Sequence, residues 1–472
     1  MKNTLLSLLL GISLSSFSQN YCGTELSDEQ ITWLRNFQAS YSPDAMRSGD
    51  IYYIPLKIHV VGDDDGEKYM DAGTILQDIC DLNLQFAETG FYFYIEGDFH
   101  YIDNSDYYEH DWSDGYDMMN ENNVNNAVNV YFVGDPSGNC GYFSPSGDAV
   151  AIANMCGGIG NSTIAHELGH FFSLPHTFYG WEGGAPPVSD QENVDGSNCN
   201  SAADGFCDTP ADYANYRWFC SSPPSFTDPD GAAFSPDGSL FMSYADDACC
   251  VRFSEEQSDA MVSYLEGPRD YLLDHDIITP IEVGQTALVE PLNETETDSY
   301  NYVVFKWNTV ENAAGYNLQI SYTPSFSVFA WDVYAADTLY VATQLDPEKN
   351  YWWRVKPLGV ANTCTEATEG WKITTGDQFT AIEAGVSISG MITLYPNPVK
   401  TGDILYVNLE TAVPADGSVR IIDVTGKIIT DQNINAATKQ VQFQTANLAA
   451  GMYYVQIGNS ESMEVRKIVI AD

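Results

Sequence analysis

Basic side chains are scarce. The 472-residue chain carries 19 lysines and arginines against 66 aspartates and glutamates, a formal net charge of −47 at pH 7. Such a field repels nucleic acid and anionic membrane surfaces and favours calcium and cationic substrates. The bland part of the excess is what keeps an exported chain soluble. Histidine is scarcer still, at seven residues. Past the N-terminus there is no apolar run of the roughly 20 residues that a membrane-spanning helix needs. Aromatics are plentiful, with 30 tyrosines and 22 phenylalanines, which excludes a disordered chain. The length corresponds to about three domains at roughly 150 residues each.

Against that scarcity, three of the seven histidines fall within His166-Glu167-Leu168-Gly169-His170-Phe171-Phe172-Ser173-Leu174-Pro175-His176. On a helix His166 and His170 lie one turn apart on one face. Two imidazoles so placed hold one zinc ion, and catalytic zinc takes a third protein ligand while keeping a position for water. His176 is the natural third ligand, because Pro175 disfavours helix just before it. Glu167 then takes a proton from zinc-bound water. This is the chemistry of peptide-bond hydrolysis.

Residues 1–18 read as a secretory signal: Lys2, an apolar run from Leu5 to Leu14, then small residues around Ser16 and Ser18. Export permits disulfides. Ten cysteines are present, seven of them between 140 and 250. Spacing does not fix connectivity. The pairs proposed are Cys140–Cys156 and a bridge from Cys220 to Cys249 or Cys250. Residues 19–50 are polar, with a helical stretch near Asp28–Phe37, and read as a pro-segment. Cys22 in Tyr21-Cys22-Gly23-Thr24 is either a latency ligand that displaces the catalytic water from zinc or an ordinary disulfide cysteine.

Residues 51–275 read as a mixed α/β domain. Ile51–Val61, Phe91–Ile95, Val128–Val133 and Ala149–Ala153 are strands. Ile75, Leu76, Ile79, Leu82 and Phe86 recur at helical spacing. Residues 103–127 read as an acidic, Asn-rich loop. A long loop, 179–239, carries Asp190, Glu192, Asn193, Asp195, Asp204 and Asp208. Clustered oxygens of this kind suit calcium, although the twelve-residue EF-hand pattern is missing. Ser254-Glu255-Glu256-Gln257 starts a closing helix with a capping box.

The extended histidine motif, followed by Leu240-Phe241-Met242-Ser243-Tyr244-Ala245-Asp246-Asp247, resembles the metzincin metalloproteases. His176-Thr177-Phe178, Cys207-Asp208-Thr209-Pro210 and the run from Met242 to Asp247, with Phe253-Ser254 after it, resemble the pappalysin (cytophagalysin-like) family over roughly residues 50–270. The resemblance implies zinc ligands His166, His170 and His176 and the general base Glu167. It implies Met242 as the floor beneath the metal and Tyr244 as an oxyanion donor. It also implies Asp247 at the base of the S1′ pocket, favouring Arg or Lys after the scissile bond. Ser173 departs from the glycine usual in the family, where a left-handed backbone is easiest for glycine.

From 280 to 376 the pattern turns all-β, with Val303–Trp307, Tyr316–Ile320 and Tyr351–Val355 as strands and Trp307 and Tyr316 as core residues. This segment resembles a fibronectin type III domain. A small-residue linker, 376–390, leads to 392–472. That segment, with Leu394-Tyr395-Pro396-Asn397-Pro398, Val419–Lys427 and Leu448–Val455, resembles the C-terminal sorting domain of the type IX secretion system. The resemblance implies engagement with that secretion machinery. The fold class is therefore multidomain, a metzincin-type α/β catalytic domain followed by two all-β sandwiches. The function expected is a secreted zinc endopeptidase acting on a protein or peptide. The alternative is a catalytically degenerate, protease-like adhesin or binding protein. A thermolysin-type enzyme is disfavoured by His176 and Met242.

Overall fold

The structure is a computed structural model. It describes residues 20–42, 51–222, 226–228, 230–275, 278, 281–343, 345–378, 392–395, 399–409, 417–423, 427–435, 438–449, 451–458 and 463–471. The signal segment 1–18, the end of the pro-segment at 43–50, most of the linker 376–390 and Pro396-Asn397-Pro398 lie outside the described residues. The chain divides into two compact units, 1–70 with 81–276, and 71–80 with 277–472.

The first unit is built on a seven-stranded sheet. Its elements are β1 (Asn20–Cys22), α1 (Asp28–Ser40), β2 (Tyr52–Gly62), α2 (Ala72–Gln85, which crosses into the second unit), β3 (Phe91–Ile95), β4 (His100–Asp103), α3 (Trp112–Asn122), β5 (Val128–Val133), β6 (Asn139–Ser144), β7 (Ala149–Ala153), α4 (Thr163–Phe171) and α5 (Glu255–Glu266). The strand order is β1-β6-β7-β5-β2-β3, with β4 also on β2. Strands β5 and β7 are buried along their whole length, as expected of parallel strands covered on both faces. β6 runs antiparallel to β7, and β1 adds to its free edge in parallel, Asn20 opposite Asn139 and Cys22 opposite Gly141. That edge leads to the histidine helix, because all nine residues of α4 are buried beside it.

Three elements depart from the sequence expectation. Residues 103–127 hold a helix, α3, rather than only loop. Its N-cap Asp111 accepts from the backbone of Ser113 and Asp114, and Met118 and Met119 are fully buried. Capping and packing override the poor propensity of Asn, Asp and Gly. Strands β4 and β6 are short and polar at several positions, so they carry no alternation long enough to read. The helix expected at 71–87 forms, and Ile75, Leu76, Ile79, Leu82 and Phe86 are all buried. Both helices flanking the site, α1 and α5, start with capping boxes, Ser27 with Gln30 and Ser254 with Gln257.

The second unit is all-β apart from residues 71–80. One pair of sheets runs 288–290, 303–307, 339–342 and 295–296, 371–374, 350–359, 313–321, 329–335. Both sheets contribute to one core, in which the Trp307 and Tyr316 rings lie 5.6 Å apart. A second pair of sheets, between 392 and 471, shares a core that includes Val407, Val419, Val455 and Ile468. Disulfides link Cys140–Cys156, Cys199–Cys207, Cys220–Cys249 and, within the second unit, Cys80–Cys364. Cys22 and Cys250 are free, so Cys22 is not the disulfide cysteine of the plainer reading.

Candidate active site

Helix α4 presents His166 and His170 one turn apart, and the chain leaves it through a tight reversal. Ser173 N–H donates to His170 O and Leu174 N–H to Gly169 O, both at 2.9 Å. These are the paired bonds of a Schellman cap, whose residue after the cap is left-handed. Ser173 occupies that position with φ 78°. The reversal brings His176 back over the helix. The Nε2 of His170 lies 3.2 Å from that of His166 and 3.1 Å from that of His176.

The other ring nitrogens explain this crowding. His166 Nδ1 is 2.6 Å from Phe241 O, His170 Nδ1 is 2.7 Å from Leu174 O, and His176 Nδ1 is 3.1 Å from Glu182 Oε1. All three partners are acceptors, so each Nδ1 carries a proton and the three Nε2 atoms face one another. Burial holds His166 and His170 well below the ordinary imidazole range, with His176 adding to the effect, so both are neutral. The facing Nε2 lone pairs of neutral His166 and His170 repel one another unless a cation lies between them. The donor set, the neutral rings and their outer acceptors fit a divalent metal such as zinc.

Cys22 completes the group. Its sulfur and the three histidine nitrogens all lie within 4.8 Å of one another. The same sulfur is 3.5 Å from Glu167 Oε2. The Glu167 carboxylate is fully buried; burial pushes it up to about 7, against the bonds from Thr24 and Cys22. Its Oε2 accepts from Thr24 Oγ1 at 2.7 Å, while its Oε1 has no partner. Thr24 Oγ1 in turn accepts from Phe143 N–H on β6.

Met242 is fully buried. Its sulfur lies so close under Gly169 that a methyl group there would overlap it, and its carbonyl accepts from Thr177 N–H. Tyr244 is 4.9 Å from His176 and 4.5 Å from Phe178, ring centre to ring centre, and its hydroxyl donates to Cys22 O at 3.4 Å. Asp247 is engaged at both carboxylate oxygens. Its Oδ1 accepts from Ser162 Oγ at 2.6 Å and its Oδ2 is paired with Arg217 at 2.6 Å.

The acidic loop does not gather in the same way. Asp190, Asn193 and Asp195 are exposed. Asp208 caps α5 by accepting from Ser254 Oγ and Glu256 N–H. Glu192 and Asp204 are buried, and burial pushes each carboxyl up to about 8. Among the described residues, these acids do not bring three ligand atoms within 4.8 Å of one another.

Tyr21, Thr24, Glu182 and Arg217 escaped the sequence reading. Two of them were within reach of it. Thr24 sits two residues from the flagged Cys22. An acceptor for the free nitrogen of each metal-binding histidine is a general requirement, and Glu182 is a carboxylate close after His176. Nothing local marks Arg217.

Comparison with known proteins adds two findings. Residues 393–471 match the secretion system C-terminal sorting domain. The chain is also 28% identical over 162 residues to an extracellular metalloprotease of Colletotrichum graminicola, covering 29% of this chain and 49% of that protein. The chain thus spans about half the length of the curated relative it matches. Solved structures with partial likeness include the chicken CNTN1 FN1–FN3 domains, at 12% identity and TM-score 0.16, covering 39% of this chain and 69% of that one. Another is an immunoglobulin-like DUF3244 protein from Bacteroides vulgatus, at 20% identity and TM-score 0.15, covering 17% and 82%. Scores this low leave the fold to be read from the chain's own geometry. Among the described residues, no helix is long and apolar enough to cross a membrane. The chain carries a secretion-system sorting domain at its C-terminus and is a secreted or cell-surface protein.

Proposed function

We propose that the first unit is a zinc metalloendopeptidase of the metzincin type, pappalysin-like, held latent by its own N-terminal segment. The observation that carries this reading is the meeting of three Nε2 atoms, each on a ring fixed by an acceptor at its other nitrogen. His166, His170 and His176 would hold the ion. When bound, zinc supplies a water of lowered pKa, about 7, and polarises a carbonyl.

The chain's own residues do the rest. Glu167 takes the proton from the attacking water and passes it to the leaving amine; its unpartnered Oε1 is the atom free to do so. The Tyr244 hydroxyl donates to the oxyanion. In the latent chain that hydroxyl instead meets the Cys22 carbonyl, a peptide carbonyl standing in for the substrate's. Met242 supports the helix from below. Cys22 contributes a fourth ligand where water would enter, and Thr24 occupies the other oxygen of Glu167. Latency thus rests on three contacts from two neighbouring residues, Cys22 and Thr24, rather than on the Cys22 thiol alone.

Asp247 keeps the pocket role implied by the resemblance, but a substrate would not meet a bare acid there, because Arg217 already holds the carboxylate. The basic preference expected of the pocket is weakened accordingly. Calcium remains a proposal for the loop around Glu192 and Asp204, whose buried carboxyls carry little positive charge nearby. The binding-protein alternative rests on Ser173 and on two β-modules without catalytic residues; Ser173 makes the turn a glycine would make, and the β-modules still carry that alternative.

The decisive experiment is Glu167→Gln in the full chain after release of the N-terminal segment. Casein cleavage should fall by about 10²–10⁴-fold while the zinc content measured by mass spectrometry stays the same. Cleavage at the original rate would exclude the mechanism.

A further inference from the structure

Tyr21, the residue before Cys22, packs beside the histidine cluster. Its side chain is buried, 8% exposed. The Arg217 guanidinium carbon lies over its ring, 3.7 Å from the centre. The ring meets His166 at 5.0 Å and Tyr244 at 5.3 Å, both edge to face. Its hydroxyl is 3.2 Å from Ser162 Oγ, and that hydroxyl donates to Asp247. Tyr21 therefore reaches the base of the pocket in which Asp247 sits.

We infer that Arg217 sets the specificity of this pocket, and that the side chain it takes from a substrate is aromatic rather than basic. The inference rests on the peptidase reading above and deepens it. Both oxygens of Asp247 are already engaged, one by Ser162 and one by Arg217. An incoming lysine or arginine would bring a second cation up to the guanidinium, with its natural counter-ion taken; like charges at such range are strongly unfavourable in a buried site. An aromatic ring meets the opposite situation. The guanidinium face offers a cation–π contact, and His166 and Tyr244 offer their ring edges. Tyr21 is the chain's own example of an occupant, anchored one residue from the sulfur that faces the histidines. Ser162 adds a hydroxyl partner, so tyrosine gains over phenylalanine by one hydrogen bond.

The test uses the chain after release of its N-terminal segment, which takes Tyr21, Cys22 and Thr24 away together and so frees both the Asp247 side and the histidine cluster. It is given zinc and a mixed peptide library, and the cut sites are read by mass spectrometry. Tyr, Phe and Trp should be enriched at least about tenfold over Arg and Lys immediately after the scissile bond. Adding Arg217→Gln leaves Asp247 bare and should shift the profile toward Arg and Lys. Adding Arg217→Lys keeps the charge without the planar face and should weaken the aromatic enrichment without reversing it. Enrichment of Arg or Lys with Arg217 intact overturns the inference, and so does a profile that Arg217→Gln leaves unchanged. Cleavage with a flat profile overturns it while leaving the peptidase reading standing. No cleavage of any peptide overturns both. If the Arg217 variants do not fold, the profile with Arg217 intact decides.

Discussion

Ser173 is a serine in a left-handed backbone, with its hydroxyl buried and unpartnered. Left-handed geometry costs a non-glycine residue about 1–2 kcal/mol, and a buried hydroxyl without a partner adds to that. Ser173→Gly should therefore stabilise the chain by about 0.5–1 kcal/mol, the relief being offset in part by the freer unfolded backbone of glycine. Urea unfolding of the two chains measures it, and a loss of stability would mean the hydroxyl has a role beyond the turn. Gly169 shows the opposite constraint. A methyl there would overlap Met242 Sδ, so Gly169→Ala should cost about 1–3 kcal/mol through overpacking and weaken zinc binding by displacing the turn that carries the Phe241 carbonyl. Both residues stand in the H-E-x-x-H stretch. The sequence marked Ser173 as the place to look. It gave no sign that Gly169 faces a methionine 73 residues away in the chain, because that contact is made by the fold.

Among the elements, β1 and α1 show how the N-terminal segment is held. β1 adds to the edge of β6, and α1 docks through Gln30 to His170 O, Arg35 to Ala203 O and Gln38 to Asp204 O. With α1 and Thr24 still in place, Cys22→Ala alone should raise basal cleavage only partly. The pair Cys22→Ala with Thr24→Val should raise it further, as read by a fluorogenic peptide. Equal rates for the two would remove Thr24 from the latency device. The loop beneath α1 makes a separate pH prediction. Burial lifts Glu192 from 4.5 to about 8 and Asp204 from 3.8 to about 8, with Asp212 facing Glu192 and with Asp208 and Arg35 facing Asp204. Between those unfolded values and about 8 the folded chain holds protons that the unfolded chain has released, so stability falls as pH rises through the window. Melting temperature should drop by several degrees, roughly, between pH 5 and 8, and Glu192→Gln should flatten the fall. A calcium ion bound there would oppose it, so added calcium restoring the melting temperature at pH 8 supports that proposal. Calcium without effect counts against it.

For the whole molecule, metal and sorting domain are the two handles. A ligand that binds only the folded chain adds about 2.7 kcal/mol when present at a hundred times its dissociation constant, so chelation should lower the melting transition of the histidine-bearing unit, and zinc should restore it. Removing 392–472 should leave the protein with the cells instead of in the medium or at the cell surface, as fractionation and blotting will show. The sequence by itself determined the histidine cluster, since His166, His170 and His176 are close in the chain and one turn plus one reversal is enough to gather them. It also determined the sorting segment, whose signal is carried along the strand pattern of one continuous stretch. Only the tertiary structure decided what surrounds the histidine cluster. Cys22, Thr24 and Tyr21 reach the site because β1 pairs with β6, and Arg217 reaches Asp247 and Tyr21 across a long irregular loop. Contacts between residues far apart in the chain depend on loop closure and strand pairing, which leave no local periodicity to read. That is why the sequence left Asp247 bare while the structure pairs it with Arg217, within reach of Tyr21.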